Sequence, residues 1–190
     1  MRPNKSAKDI IGKKGEDIVK EFLKKQGYLI LPSSLIQDNG APVLDGEKLK
    51  IILPNNLTWK DKQPGWVEVK TKSFATYHRT PPRRWEHGLP LRHWEAYQRV
   101  QEFTNIKVSL AVLELDTKLL LIAILEHLEP NKRIFPMQGE LHIFLARDDF
   151  DNWFSLDTIL PNPLQPIAPR TLAQAKAPMS KQGKLNGRPH

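Results

Sequence analysis

The segment LKIILPNNLTWKDKQPGWVEVKTKS spans residues 49–73, and the rest of the chain is organised around it. It predicts two short apolar strands joined by a polar hairpin. Because side chains alternate along a strand, Glu68 and Lys70 point to one face of the second strand, and Val67 and Val69 point to the other. A carboxylate beside an ammonium is a poor way to build a core. It is a good way to hold a metal ion next to a phosphate.

The size and composition of the chain bound what it is. Its 190 residues are enough for one domain with a buried core, which we expect over residues 1–160. Residues 161–190 hold six prolines and five cations but no acidic or aromatic residue, so we expect a basic, Pro-rich, disordered tail. The absence of cysteine excludes disulfides and thiol nucleophiles. No apolar run approaches a membrane span in length, so we expect a cytoplasmic protein without a membrane partner.

Positive charge is concentrated in part of the chain. The whole sequence carries 29 basic and 21 acidic side chains, a net charge of +8. Residues 48–107 hold twelve basic and five acidic side chains, whereas residues 108–157 hold four and nine. Such a patch attracts polyanions over a long range. We therefore expect nucleic acid as the partner.

The first helix is predicted over residues 7–26, with Gly27 as its stop. Gly12 and Gly15 lie three residues apart and would allow this helix to approach a neighbour closely. Their cost in helix propensity indicates a structural reason for them. Glu16 lies at the edge of the buried face. From spacing alone it is a solvent-facing residue paired with Lys20.

The remaining patterns predict an α/β fold with a central mixed sheet of four or five strands flanked by helices. We expect a second helix over residues 91–104, a strand hairpin over 107–115 and 118–124, a strand over 141–145, and a short helix over 147–156.

Residues 71–90 are expected to form a long irregular loop. Cations there alternate with aromatic rings, a composition that suits phosphate contacts and base stacking. The alternative is a solvated loop whose rings pack on the body of the domain. The cations expected to bind nucleic acid are Lys72, Arg79, Arg83 and Arg84.

Three short motifs follow one another along the first half of the chain. They are residues 12–16 (GKKGE), Pro54-Asn55 after the first strand of the opening stretch, and Glu68-Val69-Lys70 in the second. Together they resemble the PD-(D/E)xK nuclease superfamily, which includes archaeal Holliday junction resolvases and RecB-type nuclease domains. The resemblance covers residues 6–125 and implies the restriction-endonuclease-like fold.

The resemblance also implies a catalytic metal site. In that family acidic residues bind Mg²⁺ or Mn²⁺, and the lysine of the motif positions or activates the attacking water. Carried over, Glu68 and Lys70 are catalytic, and Glu16 and Glu68 bind the metal. His93 and Tyr97 would occupy the place of a Gln-x-x-x-Tyr motif and are expected near the nucleic acid. An oxygen-ligated cation suits phosphodiester hydrolysis, because it neutralises charge that develops on the phosphate.

One position departs from the family, since Asn55 stands where the motif has an aspartate. A neutral amide can offer a metal one carbonyl oxygen but no negative charge. Asn55 is then a weak ligand compensated by Glu16, or Asp45 is the actual acid, or the metal site is degenerate and the fold only binds. An engineered substitution of an aspartate is a fourth account.

Three functions are consistent with these features. The first is a metal-dependent endonuclease that hydrolyses DNA, with selectivity for DNA structure as an open point. The second is a nuclease-fold protein that binds nucleic acid without cleaving it. The third is a structural subunit whose basic surface is incidental. By analogy with related nucleases the chain forms a homodimer, for which the sequence has no interface signal of its own.

Overall fold

The computed structural model describes residues 7–35, 43–46, 49–79, 81–137 and 139–159. The tail expected over residues 161–190 lies outside the described residues, and so does the side chain of Asp45. Within the described ranges, no helix is long and apolar enough to cross a membrane.

The described residues form α-helices and β-strands in a mixed order. The α-helices are α1 (Ala7–Lys25), α2 (Leu91–Thr104), α3 (Leu125–Leu128) and α4 (Leu156–Ile159). The strands are β1 (Leu29–Pro32), β2 (Val43–Gly46), β3 (Leu49–Ile52), β4 (Asn56–Lys60), β5 (Gln63–Lys72), β6 (Thr76–His78), β7 (Arg84–Pro90), β8 (Val108–Glu114), β9 (Leu119–Ile124), β10 (Arg133–Met137), β11 (Glu140–Ala146) and β12 (Asn152–Ser155).

Helix α1 ends where the sequence predicts. Gly27 has a positive φ of 84°. Its amide donates to the carbonyl of Lys24 at 2.9 Å, and the amide of Tyr28 donates to the carbonyl of Leu23 at 3.0 Å. These two hydrogen bonds form a Schellman motif, which satisfies the last carbonyls of the helix and turns the chain into β1.

The main sheet confirms the predicted α/β class. It is mixed, with the strand order β1-β4-β5-β8-β9-β12. Strands β5 and β8 pair in parallel, and the other neighbours pair antiparallel. The sheet has six strands, one more than the upper end of the prediction. Helix α2 and the β8–β9 hairpin lie where they were expected.

Strand β12 of this sheet lies in a segment where the sequence predicted a short helix over residues 147–156. That prediction was wrong. Asn152–Ser155 pairs antiparallel with β9. Trp153 joins the apolar cluster on one face of the sheet and Phe154 joins the cluster on the other. Neighbouring residues that cover opposite faces require the two-residue repeat of a strand.

Each face of the main sheet carries its own apolar layer. On one face α1 contacts β5, and Val19 and Phe22 of the helix are buried there. On the other face α2 and a second sheet pack together, and Trp94 and Val100 of α2 are buried. The sheet therefore lies between α1 on one side and α2 with the second sheet on the other.

The second sheet replaces much of the irregular loop expected over residues 71–90. Strand β5 extends to Lys72, and β6 and β7 form part of a sheet with the order β10-β11-β7-β6. The loop prediction was wrong because β7 buries polar residues. Glu86 is 0% exposed and His87 is 3% exposed, so β7 lacks the apolar repeat by which a strand is recognised.

The hairpin of the opening stretch is shifted along the chain from its predicted position. Strand β5 pairs antiparallel with β4, whereas β3 pairs with β2 in a separate two-stranded sheet. The β4–β5 turn is made by Asp61 and Lys62, whose φ angles are 50° and 65°. Positive φ at both central residues belongs to type I′ turns, which match the twist of the paired strands. Asn55 consequently lies just before β4 and opposite β5.

Candidate functional site

The candidate site lies on the α2 side of β5. The side chains of Val67 and Val69 lie in the apolar layer beneath α1, as the alternation predicts. Glu68 points to the opposite face and is only 5% exposed. Lys70 follows on that face, and its side chain is 26% exposed. A carboxylate is thus buried at the centre of the sheet with an ammonium beside it.

Three donors surround the carboxylate of Glu68. The hydroxyl of Tyr97 donates to Oε1 at 2.7 Å, and the ammonium of Lys70 lies 2.7 Å from the same oxygen. The backbone amide of Asn55 donates to Oε2 at 3.1 Å. The cost of burying this charge is therefore offset by one cation and two hydrogen bonds.

Tyr97 and His93 lie one turn apart on α2. Burial and the neighbouring Glu68 carboxylate raise the pKa of Tyr97 well above its usual range, so its hydroxyl is a hydrogen-bond donor and stays protonated. Burial and the nearby ammonium of Lys70, with Arg92, lower the pKa of His93. At neutral pH the imidazole is therefore uncharged. The centres of the His93 and Tyr97 rings are 6.3 Å apart.

Asn55 connects the two carboxylates of the site. Its Oδ1 accepts a hydrogen bond from the backbone amide of Val69 at 2.7 Å. Its Nδ2 donates to Oε1 of Glu16 at 3.2 Å. Because a backbone amide can only donate, the amide group of Asn55 has one possible orientation, with its hydrogens toward Glu16. The backbone is held as well, since the amide and hydroxyl of Ser33 both donate to the carbonyl of Asn55 at 2.9 Å.

Glu16 reaches the site from α1. Its side chain is 27% exposed and lies 3.4 Å from the ammonium of Lys13. Lys20, the partner expected from spacing, lies 3.7 Å from Asp17 instead. Gly15 allows the helix to lie this close, because a Cβ at that position would be 1.9 Å from Oγ1 of Thr71 on β5.

These contacts form one cluster of five residues from the predicted site, which are Glu16, Asn55, Glu68, Lys70 and Tyr97. Asp45 is different, because only its backbone is described. It lies in β2 opposite Lys50 of β3. Whether its carboxylate reaches the cluster stays a prediction.

The cluster does not fit a divalent cation as it is arranged. Mg²⁺ and Mn²⁺ are bound by oxygen ligands with free lone pairs, usually one or two carboxylates together with carbonyl groups and waters. The only oxygen of the Asn55 side chain is engaged by Val69, and its N–H group points at Glu16. Among the described residues, no group of three or more His, Cys, Asp or Glu side chains is close enough to hold a metal ion.

The residues expected to bind nucleic acid lie in different environments. Arg79 and Arg83 are exposed, and Lys72 is partly buried at the end of β5. Arg84 donates from Nε to Oε1 of Glu86 at 2.7 Å and from Nη2 to the carbonyl of Asn131 at 2.5 Å. Arg84 is thus already bound within the protein, whereas Arg83 has no such partner among the described residues.

Sequence reasoning missed two buried ionic clusters beside the site. In one, the carboxylate of Glu86 is held by Arg84 and Arg133. In the other, Glu114 is 0% exposed and accepts from His87 at 2.7 Å. The one signal available was an acid at the end of the apolar run of β8, where a hydrophobic residue was expected. The partners come from distant segments, so no local pattern reveals them.

Comparison with solved structures finds a likeness, whereas comparisons of sequence do not. No protein-family model matches the sequence. No curated protein matches it either. Its structure is similar to that of Hjc, a Holliday junction resolvase from Archaeoglobus fulgidus, with a TM-score of 0.42 and 10% sequence identity. The alignment covers 71% of this chain and 89% of the resolvase.

Proposed function

We propose that this chain binds DNA at the Glu68–Lys70 cluster as a nuclease-like protein in which Asn55 has replaced the metal-binding acid, so that binding is not followed by cleavage. The observation that carries the proposal is the hydrogen bond from Nδ2 of Asn55 to Glu16 at 3.2 Å, with Oδ1 committed to Val69.

The side-chain and backbone N–H groups of Asn55 bind the two carboxylates that a cation would otherwise hold together. Glu16 lies beside Asn55, and Glu68 accepts from its backbone amide. An N–H group aimed at Glu16 satisfies that carboxylate without a metal ion. An aspartate at position 55 would instead set a second carboxylate oxygen against Glu16. Two facing carboxylates repel each other unless a cation lies between them.

The choice of DNA as the ligand rests on charge. The cluster has an ammonium at its open side, since Lys70 is 26% exposed and is held in place by Glu68. Its Nζ also lies 5.8 Å from the centre of the Tyr97 ring, which restricts the side chain further. Lys72 continues along the same face of β5, and Arg79 and Arg83 are exposed nearby in the chain. These cations suit successive phosphates of one strand.

A second candidate function is a Mg²⁺- or Mn²⁺-dependent endonuclease, selective or not for DNA structure. The observation that favours it is that Glu16, Glu68 and Lys70 remain gathered from α1 and β5. Burying such charges costs desolvation free energy, and clusters of this kind are enriched at functional sites. The homodimer expected by analogy belongs to the same proposal, and sedimentation or size-exclusion measurements test it.

Binding and cleavage measured on the same samples separate the candidates. Fluorescein-labelled single-stranded, duplex and four-way-junction DNA are titrated with the full chain, and anisotropy is followed between 50 and 200 mM salt. The same DNA is then incubated with the protein and Mn²⁺. We expect DNA binding that weakens as salt rises, and DNA that stays intact with Mn²⁺.

Two matched variants serve as controls in these measurements. Glu68→Gln keeps the shape of the site but removes its charge, and Lys70→Met removes the ammonium. Mn²⁺-dependent cleavage by the natural chain that disappears in Glu68→Gln would establish the endonuclease instead. Absence of any binding at 50 mM salt would overturn both candidates and leave the structural subunit.

A further inference from the structure

A cavity of about 210 Å³ lies at the end of β5, beyond the Glu68–Lys70 cluster. It is bounded by β5, β6, β7 and the neighbouring strand β11. It is smaller than the roughly 300–1,000 Å³ of pockets for drug-sized ligands, so it suits one base or one phosphate with part of its sugar. Its lining residues include Lys72, Phe74, His78, Glu86 and Phe144.

Lys72 brings an uncompensated positive charge to this cavity. Lys70, two residues earlier, is paired with Glu68 at 2.7 Å. The ammonium of Lys72 has no hydrogen-bond or ion-pair partner among the described residues, although the side chain is partly buried. Burial, with the nearby Lys70 ammonium, lowers its pKa. A desolvated cation without a counter-ion is unfavourable, and an anion in the cavity would remove that cost.

His78 supplies a second unused polar group. Its Nε2 atom is buried and has no hydrogen-bond partner, while its Nδ1 atom lies 3.7 Å from Glu86. The charge of Glu86 is already neutralised by the guanidinium groups of Arg84 and Arg133. The carboxylate therefore does not repel an anion from the cavity, and the ammonium of Lys72 and the ring nitrogen of His78 are left unpaired.

Aromatic rings form the apolar part of the same cavity. Phe144 lies inside it, packed edge-on against the ring of His78 at 4.7 Å between ring centres. Phe74 lies at the rim and is 57% exposed, which leaves a face of its ring open to solvent. Every nucleobase has a flat face that stacks on such rings without regard to sequence.

We propose that this cavity and its rim bind one unpaired nucleotide of a nucleic-acid strand, with the phosphate in the cavity against Lys72 and His78 and the base at the rim against Phe74. The inference rests on the proposed function, because the strand would continue from Lys70. Residues two apart on one face of a strand are about 6.7 Å apart, so Lys70 and Lys72 contact different groups of the same strand. A duplex cannot place a paired base there, which predicts a preference for single-stranded or branched DNA.

The test compares two variants of the full chain that lose the same charge. Lys72→Met removes the unpaired ammonium, and Lys62→Met removes an exposed lysine in the β4–β5 turn at the other end of the hairpin. Binding of a fluorescein-labelled single-stranded oligonucleotide is followed by anisotropy from 50 to 200 mM salt. Lys72→Met should lower the slope of log K against log salt by about 0.7, the value for one phosphate contact on a single strand. Lys62→Met should leave the slope unchanged.

The contribution of the base is tested separately with Phe74→Ala, which alters an exposed ring and leaves the charge intact. We expect it to weaken single-strand binding about tenfold and duplex binding less than twofold. As competitors, a nucleoside monophosphate should displace the oligonucleotide at a lower concentration than inorganic phosphate. Equal displacement by the two, or equal loss of single-strand and duplex binding, would refute a nucleotide in the cavity.

The outcomes also distinguish this inference from the proposed function. If the chain binds DNA and Lys70→Met weakens it while Lys72→Met and Phe74→Ala do not, only the nucleotide cavity is refuted. If no form of the chain binds DNA at 50 mM salt, the proposed function fails and the cavity inference fails with it.

Discussion

Replacing Gly15 with alanine tests how α1 is held against the sheet. A Cβ at this position would lie 1.9 Å from Oγ1 of Thr71 and 3.0 Å from both Cβ and Cγ2 of the same residue. Rotation of the threonine moves the hydroxyl but leaves its Cβ in place, so the helix must shift. Gly12 on the same helix is the matched control, because a Cβ there would have nothing within 4 Å.

The expected magnitudes follow from two opposing effects. Replacing glycine with alanine inside a helix gains about 0.8–1.0 kcal/mol in propensity, and Gly12→Ala should show that gain. Gly15→Ala gains the same amount but adds overpacking, which costs about 1–3 kcal/mol. The two variants should therefore differ in the free energy of unfolding by about 1–3 kcal/mol, with Gly15→Ala the less stable.

Urea unfolding followed by circular dichroism measures this difference. With an m-value of about 2 kcal/mol/M, the midpoints of the two variants should be about 0.5–1.5 M apart. In a Thr71→Ala background the difference should shrink, because the 1.9 Å contact is removed. Equal stabilisation by Gly12→Ala and Gly15→Ala would show that α1 is not in close contact with β5. The position of Glu16 beside Asn55 would then lose its basis.

Two further predictions concern the charged residues near the site. Glu86→Gln should destabilise the protein by about 3 kcal/mol at pH 7, since it leaves the guanidinium groups of Arg84 and Arg133 without their buried partner. Burial raises the pKa of Glu86, but hydrogen bonds from those arginines outweigh burial and hold the pKa below 4.5. The stabilisation from these ion pairs is therefore present above pH 4.5, and it is lost as the pH falls through the lower pKa of the folded state. The denaturation midpoints of the unmodified chain and of Glu86→Gln should converge from pH 7 to pH 3. A constant difference between the two midpoints over that range would contradict the ion pairs. Arg83→Ala should weaken DNA binding at low salt and leave the melting temperature unchanged, whereas Arg84→Ala should lower the melting temperature. Anisotropy titrations and thermal melts measure the two effects. A lower melting temperature for Arg83→Ala, with weaker DNA binding for Arg84→Ala alone, would contradict this prediction.

The sequence predicted the features that depend on local repeats. The alternation of Val67, Glu68, Val69 and Lys70 is a property of any strand, and it correctly placed the carboxylate and the ammonium on one face. Helix α1 was predicted from apolar spacing, whereas α2 was predicted although its apolar residues do not form one clean stripe. Pairing partners were harder to predict, because they depend on the tertiary fold. The β4–β5 turn lacks the Asn-Gly or Asp-Gly signal of a type I′ hairpin, and the predicted partner of β5 was the neighbouring apolar run.

The sequence offered candidate residues for the site but not the hydrogen bonds between them. The motif order indicated that Glu16, Asn55 and Glu68 would meet. What Asn55 does there depends on the direction of its amide group, which is set by the backbone amide of Val69 and is invisible in the sequence. The two glycines of α1 are a further example, because the sequence does not show which of them contacts the sheet. Gly15 lies close to Thr71, and Gly12 does not.

We propose that Asn55 alone separates this cluster from a metal-dependent nuclease site, and the Asn55→Asp variant tests that proposal. Removing the amide hydrogens that face Glu16 creates a third acidic group in the site. A bound cation contributes several kcal/mol to phosphodiester cleavage, and each 1.4 kcal/mol is a factor of ten in rate. We therefore expect an increase in Mn²⁺-dependent cleavage of at least about 100-fold.

The measurement is the rate of cleavage of labelled DNA by the natural chain, by Asn55→Asp and by Asn55→Asp combined with Glu68→Gln, each with Mn²⁺. Thermal melts with and without Mn²⁺ report metal binding independently of cleavage, since a ligand that binds the folded state raises the melting temperature. The account predicts cleavage and an Mn²⁺-dependent rise in melting temperature for Asn55→Asp alone. A natural chain that cleaves as fast as Asn55→Asp, or a folded Asn55→Asp that binds DNA but neither binds Mn²⁺ nor cleaves, would contradict it.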